Sequence, residues 1–183
     1  MRLRDSPSAF GPVSRFNHWL GALLVLAMLA LGLYFSSLPP GAERSYWRTL
    51  HIAIGTLSLP LVAFRIVWRC AASAPLAPPH PRIERVMARG VHLSMLMALV
   101  AMLTSGVLMQ WFARRPIGVF DLLRIASPLT ESDIWHERMA QLHAIAAWCL
   151  IGLIALHVVG ALKHGLQEGR AFWGRMLGQP GKQ

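Results

Sequence analysis

Two histidines in the last long apolar stretch of the chain are spaced in a way that could support chemistry. His143 and His157 lie in the stretch 136–164 and are 14 residues apart. In a helix, this spacing places both rings within about 40° of each other on one face, separated by roughly 21 Å along the axis. Ionisable side chains inside membrane spans are costly and mark functional sites. The pattern therefore predicts two ligand positions at two depths of one apolar helix.

The composition predicts that this helix lies in a membrane. Hydrophobic residues make up 55% of the 183 residues and charged residues only 14%, which is typical of integral membrane proteins. Residues 1–183 are expected to form one membrane domain with four spans, at about 17–38, 51–69, 91–112 and 139–164. Residues 41–50 are expected to be a short polar connection, 70–90 a loop and 113–135 the longest connection. We predict an all-α integral membrane four-helix bundle.

The charge distribution predicts how the bundle is oriented. The net charge of +10 lies at loop ends, so it indicates topology and lipid contact and gives no reason to expect a nucleic-acid partner. Twelve of the eighteen Lys and Arg residues lie in the N-terminal segment, the 65–90 region and the C-terminal stretch from Lys163 onward. The positive-inside rule then places both termini in the cytoplasm, so that the protein crosses the membrane with its N- and C-termini inside.

Depth in the membrane pairs the histidines. His18 opens a helix that runs outward, and His51 opens a helix that runs inward. The fourth helix enters from outside, so His143 lies near the outer face and His157 near the cytoplasmic face. Equal depth therefore pairs His51 with His143 and His18 with His157.

Other histidines are weaker candidates. His136 and His164 lie seven residues outside His143 and His157, on the same stripe of the helix, but each would be roughly 10 Å further out. Depth alone excludes them, and they remain the alternatives if one pair is misassigned. His92 begins the third helix without a matched partner, so we expect a structural or supporting role.

The two pairs favour haem over other metal cofactors. Structural zinc requires four ligands, whereas haem iron takes two axial ligands and needs flat space with apolar walls. The two cysteines, Cys70 and Cys149, form no motif for covalent attachment. We therefore predict two non-covalent b-type haems between the helices. Small residues that would leave room for them are Gly21, Gly55, Ala147 and Ala161, and cations that could hold their propionates are Arg15, Arg48, Arg65 and Arg138.

Four stretches resemble the bacterial cytochrome b561 family of small four-helix, di-haem membrane cytochromes. They are SRFNHW at 14–19, LHIAIG at 50–55, LH at 142–143 and LHVVGALKH at 156–164. The resemblance covers nearly the whole chain and implies His18, His51, His143 and His157 as the axial ligands. The family usually carries a second histidine after ALKH, where this chain has Gly165. Similar cytochromes move electrons between a donor and a quinone, with superoxide as the outer donor in some.

These observations leave two functions open. In the first, the chain is a quinone-linked oxidoreductase that carries electrons from an outer-face donor to the quinone pool. Quinone-site candidates are Arg15, Lys163 and His164. Arginines that could steer an anionic donor, or instead bind lipid phosphates or acidic loop residues, are Arg44, Arg48, Arg114, Arg115 and Arg124. In the second, it is a cytochrome b subunit that passes electrons for a dehydrogenase, a hydrogenase or a periplasmic redox partner. A metal transporter is disfavoured, because the spans contain no acidic path. The oligomeric state is open.

Overall fold

Four long helices dominate the computed structural model, which describes residues 5–6, 9–71, 81–120 and 122–178. They are α1 (Pro12–Ser37), α2 (Ala42–Ala71), α3 (Arg82–Phe112) and α4 (Asp133–Glu168), followed by a short α5 (Arg170–Leu177). All four are long and apolar enough to cross a membrane. The expected all-α four-helix class is confirmed. Residues 72–80 of the expected loop lie outside the described residues.

The helices extend beyond the predicted apolar spans. Residues 42–50, expected as a polar connection, are the first turns of α2, and residues 82–90, expected as loop, are the first turns of α3. Each of these polar first turns carries an acidic residue, Glu43 in α2 and Glu84 in α3. A negative charge at this position stabilises the helix, because the N-terminus is the positive end of the helix dipole. Hydropathy marks only the apolar part of a helix, so it misses such polar extensions.

Local sequence signals explain where several helices begin and end. Pro12 occupies the first turn of α1, where its missing N–H costs nothing. The Ser132 side chain caps α4 by accepting a hydrogen bond from the backbone N–H of Trp135 at 3.4 Å. Gly169, with φ of 60°, separates α4 from α5, and Gly178 ends α5 in the left-handed conformation.

The long helices pack as two pairs. α1 packs along α2, and α3 packs along α4, whereas the backbones of the two pairs approach each other closely at few points in the described part of the chain. We call the end where α1 and α3 begin the terminal end, because the N-terminal and C-terminal helices meet there. The indole Nε1 of Trp19 on α1 donates to the Met176 carbonyl of α5 at 3.2 Å. The opposite end is called the hairpin end. Contact between the two helix pairs is therefore made mainly by side chains in the interior of the bundle.

A small β-hairpin caps the hairpin end. Strands β1 (Ile117–Val119) and β2 (Leu123–Ile125) pair antiparallel within the connection 113–135, which was expected to be irregular. Ile117 and Val119 are buried, and β1 packs on α2. This apolar contact gives the connection between α3 and α4 a fixed place against the other helix pair.

Helix α5 folds back over the terminal end. A Cβ at Gly165 would overlap the indole ring of Trp173, and the ring of Phe172 stacks on His164 with centroids 6.0 Å apart. Gly165, which stands where the resembling family usually has histidine, therefore makes room for the Trp173 ring.

Candidate functional site

The hairpin-end pair joins the second and fourth helices. His51 lies two turns into α2, and His143 lies within the first third of α4. Their ring centroids are 6.2 Å apart, and the ring planes are at 78° to each other. The rings predicted to share the outer depth thus face each other across the two helix pairs.

The terminal-end pair joins the first and fourth helices. His18 lies two turns into α1, and its ring centroid is 6.3 Å from that of His157 on α4, with an interplanar angle of 60°. The two predicted pairings are therefore the ones that the structure brings together, at two levels of the same helix.

The separation within each pair is compatible with one metal ion between two imidazoles. An imidazole nitrogen binds a first-row metal ion at about 2.0 Å, so two rings on opposite sides of one ion have centroids about 6 to 6.5 Å apart. The observed 6.2 and 6.3 Å fall in this range. Haem iron, which takes its two axial ligands from opposite faces of a flat macrocycle, fits such a pair.

The protonation of His143 also suits a metal ligand. Its Nδ1 lies 2.9 Å from the Met102 carbonyl oxygen and 3.2 Å from the Ser105 hydroxyl. Because a carbonyl oxygen can only accept, Nδ1 carries the hydrogen in this arrangement. The lone pair of the neutral ring then lies on Nε2, which is free to bind a metal ion.

Glycines of neighbouring helices lie directly behind both rings of the hairpin-end pair. A Cβ at Gly32 of α1 would lie 3.3 Å from Cε1 of His51, and a Cβ at Gly106 of α3 would lie 3.2 Å from Cε1 of His143. In addition, the buried Nδ1 of His51 has no hydrogen-bond partner among the described residues. The site therefore places His51 and His143 in close-fitting niches and leaves one polar ring atom without a partner in the described part of the chain.

A cation and a third imidazole surround the terminal-end pair. Nη1 of Arg65 donates to the Asn17 carbonyl oxygen at 3.2 Å and lies 3.5 Å from where a Cβ on Gly21 would stand, one turn from His18. The His92 ring centroid is 5.1 Å from that of His157. This separation is too short for two imidazoles on opposite sides of one metal ion, so His92 supports the His157 ring from the side.

The alternative histidines occupy different environments. Nδ1 of His136 lies 2.8 Å from the Met109 carbonyl, but among the described residues no other imidazole faces its ring. His164 lies between two carboxylates, 3.8 Å from Glu84 and 3.6 Å from Glu168. Neither is placed as one half of a facing imidazole pair.

The remaining predicted site residues are more scattered. Gly55 faces α1, where its Cβ would lie 3.3 Å from the Met28 methyl, and the guanidinium of Arg15 lies against Gly178 at the end of α5. Arg138 is exposed at the hairpin end. Nζ of Lys163 forms an ion pair with Glu84 at 2.9 Å. Among the predicted cations, Arg65 has its guanidinium against Asn17 and Gly21, on either side of His18 in the sequence.

Several contacts of the pairs were not predicted from the sequence. Ser105, Gly32 and Gly106 touch the hairpin-end rings, and none of them lies on the same helix as the ring that it contacts. A search for small and hydroxyl-bearing residues at the same depth on the other helices would have identified these three residues as candidates. The carboxylates of Glu84 and Glu168 around His164 had no sequence signal beyond their helix-end positions.

Four membrane-spanning helices that bring imidazoles together in two facing pairs define the class of membrane-bound b-type cytochromes. The family comparison is specific: the model of the prokaryotic cytochrome b561 family matches residues 9–179. The chain is also similar to cytochrome b561 homolog 2 of Escherichia coli (strain K12), with 30% identity over 182 residues that cover 98% of this chain and 96% of the relative. The chain belongs to the prokaryotic cytochrome b561 family, whose members transfer electrons across membranes through b-type haem.

Proposed function

We propose that this protein carries electrons across the bacterial inner membrane through two b-type haems, one held by His51 and His143 and the other by His18 and His157. The haems supply reversible one-electron chemistry when bound. The protein would supply the histidine ligands, fix their orientation and hold the two haems at different depths. The observation that supports this proposal is the presence of two facing imidazole pairs with centroid separations of 6.2 and 6.3 Å.

The hairpin end is proposed to face outward and to receive the electron. Five arginines lie at this end and most are exposed: Arg44, Arg48, Arg114, Arg115 and Arg124. Their field would attract an anionic donor, and superoxide is the outer donor in some of the cytochromes that this chain resembles. Two superoxide ions, each losing one electron, give two O₂ and supply the two electrons that reduce one quinone with uptake of two protons.

The terminal end is proposed to face the cytoplasm and to contain the quinone site. Arg15, Lys163 and His164 are its candidate residues, and His164 is the most suitable of them. Its imidazole lies between the carboxylates of Glu84 and Glu168 and stacks on Phe172. An imidazole beside carboxylates can hydrogen-bond a quinone oxygen and relay a proton to it.

The first test is the reduced-minus-oxidised visible spectrum of the purified protein, with haem counted per chain. We expect two low-spin b-type haems in the wild type and one in His143→Ala. His136→Ala is the matched control, because it removes an imidazole of the same helix stripe that also bonds a backbone carbonyl. It should keep both haems. Absence of haem from the wild type, or loss of haem in His136→Ala with retention in His143→Ala, would contradict the proposal.

The quinone site is tested by the rate at which a soluble quinone reoxidises the reduced protein. His164→Gln keeps a polar side chain but removes the relay group, so we expect reoxidation to slow at least tenfold with an unchanged haem spectrum. His136→Gln, at the opposite end, should reoxidise at the wild-type rate. Equal rates in the two variants would remove His164 from the quinone site without affecting the haem assignment.

A second function is favoured by the tip of the β-hairpin. Phe120, Leu122 and Leu123 are exposed there, with 88% of the Leu122 surface accessible. Such a tip could dock on a dehydrogenase, a hydrogenase or a periplasmic redox protein, in which case the chain would be a cytochrome b subunit. Reduction of quinone by the isolated protein under a steady supply of superoxide supports the first function. Reduction only after a partner protein is added supports the second.

A further inference from the structure

The strongest remaining polar feature inside the helices is a serine that touches a proposed haem ligand. Ser105 on α3 has no accessible surface. Its Oγ lies 2.6 Å from the Ala101 carbonyl, 3.1 Å from the Met102 carbonyl and 3.2 Å from Nδ1 of His143. A buried hydroxyl with three polar neighbours is costly to desolvate unless its hydrogen bonds are satisfied.

The geometry assigns the direction of each hydrogen bond. A serine hydroxyl has one hydrogen and two lone pairs. The hydrogen goes to the closest carbonyl, that of Ala101, which is the i−4 bond common for serine in helices. This bond leaves a lone pair of Oγ facing His143. The Nδ1–H of His143 is then shared between the Met102 carbonyl and the Ser105 hydroxyl.

We propose that Ser105 is a positioning residue that fixes the tautomer and the ring angle of His143, and thereby tunes the haem at the hairpin end. A shared Nδ1–H makes the imidazole a stronger electron donor at Nε2 and stabilises the oxidised iron. The two bonds also oppose rotation of the ring, whose plane stands at 78° to that of His51. This inference rests on the proposed role of His143 as an axial ligand.

Ser105→Ala is the direct test, and the chain offers a close control. Ser58 on α2 is also buried, and its hydroxyl also donates to a carbonyl of its own helix, that of Gly55 at 2.6 Å. Ser58→Ala therefore removes another buried hydroxyl, one that contacts no histidine in the described structure. Both variants are measured by redox titration and by low-temperature electron paramagnetic resonance of the oxidised haems.

In Ser105→Ala, we expect the midpoint potential of one haem to rise and the resonance of the same haem to move, with the other haem unchanged. Ser58→Ala should leave both haems as in the wild type. Unchanged potentials and resonances in Ser105→Ala would overturn the proposal, as would equal shifts in the two variants. If Ser105→Ala loses both haems, Ser105→Thr, which retains the hydroxyl, is measured instead. Wild-type values for the haem that His143 holds then support the proposal, and loss of both haems from Ser105→Thr overturns it.

The failure of this proposal is distinguishable from the failure of the proposed function. If wild-type protein holds two haems and His143→Ala loses one, the ligand assignment stands whatever Ser105→Ala shows. If His143→Ala keeps both haems, the ligand assignment fails, and the proposal for Ser105 fails with it.

Discussion

The two histidine pairs have nearly the same ring separation but very different surroundings. The hairpin-end pair is enclosed by neutral groups, namely the Met102 carbonyl, the Ser105 hydroxyl and the backbones of two glycines. The terminal-end pair has a guanidinium, that of Arg65, and a third imidazole, that of His92, beside it. Equal geometry therefore does not make the two proposed haem sites equivalent.

The difference predicts an ordering of the two reduction potentials. Hydrogen-bond acceptors on a ligating imidazole favour oxidised iron, which lowers the potential at the hairpin end. A nearby cation favours the reduced haem, which carries one unit less positive charge, and so raises the potential at the terminal end. We therefore expect electrons to move downhill from the hairpin end to the terminal end, the direction that the proposed function requires.

The largest effect should come from removing, one at a time, the two imidazoles that contact His157. His18→Ala should lose the terminal-end haem completely, because the ring opposite His157 is removed. His92→Ala should retain it, because that ring lies beside His157 with a centroid separation of 5.1 Å. Haem per chain and the reduced spectrum measure both results. If His92→Ala loses this haem and His18→Ala keeps it, the pairing at the terminal end is wrong while that at the hairpin end is untouched.

A smaller effect is expected from filling the niche behind His143. The added Cβ in Gly106→Ala would lie 3.2 Å from the His143 ring, so the ring must move by a few tenths of an ångström. We expect haem retention at the hairpin end to fall by roughly tenfold, in the range seen when groups that support a metal ligand are changed. The terminal-end haem should remain.

Gly152→Ala controls for the effect of alanine itself. Gly152 is on α4, and no atom of the described residues beyond its own helix turn lies within 4 Å of where its Cβ would be. This substitution should keep both haems and stabilise the helix by about 0.5–1 kcal/mol, the usual gain when alanine replaces glycine. Thermal unfolding and haem content, measured together, separate helix propensity from the niche. Full haem occupancy in Gly106→Ala would show that the ring tolerates the added methyl group.

The sequence predicted which histidines lie together better than it predicted the surroundings of those histidines, for physical reasons. Helical spacing fixes both depth and direction on one helix, so His143 and His157 could be placed on one face, and depth then chose their partners. The rotation of one helix about its axis relative to another is set by packing, which hydropathy does not encode. The contacts that depend on this rotation, such as Ser105 with His143 and Gly32 with His51, were therefore missed.

The limits of hydropathy also explain the errors in the bounds of the elements. Apolar runs predicted the membrane-spanning parts of the helices, but the polar first turns of α2 and α3 carry no hydropathy signal. The strands of the hairpin have three residues each, which is too short for alternation to be recognised. Gly165 was a departure from the family pattern without an explanation until the structure placed Trp173 against it.

The smallest effect predicted here concerns the charge beside the terminal-end pair. Arg65→Gln removes a cation near His18 and His157 and should lower the midpoint potential of the terminal-end haem. A charge at the edge of a protein interior contributes on the order of 1 kcal/mol, roughly 40 mV for one electron. Arg89→Gln is the control, since it removes the same charge from an exposed position at the same end. Redox titration of the two variants measures the difference.

The direction of the Arg65→Gln shift tests whether the two ends of the bundle set different haem potentials. Ser105→Ala should raise the potential of one haem and Arg65→Gln should lower that of the other, so the two changes together should reduce or reverse the gap between them. Because the residues lie on different helices at different depths, their effects should add. Equal shifts in Arg65→Gln and Arg89→Gln would mean that general charge sets the potential. The terminal end would then owe nothing to the placement of Arg65, and the preferred direction of electron flow would need another cause.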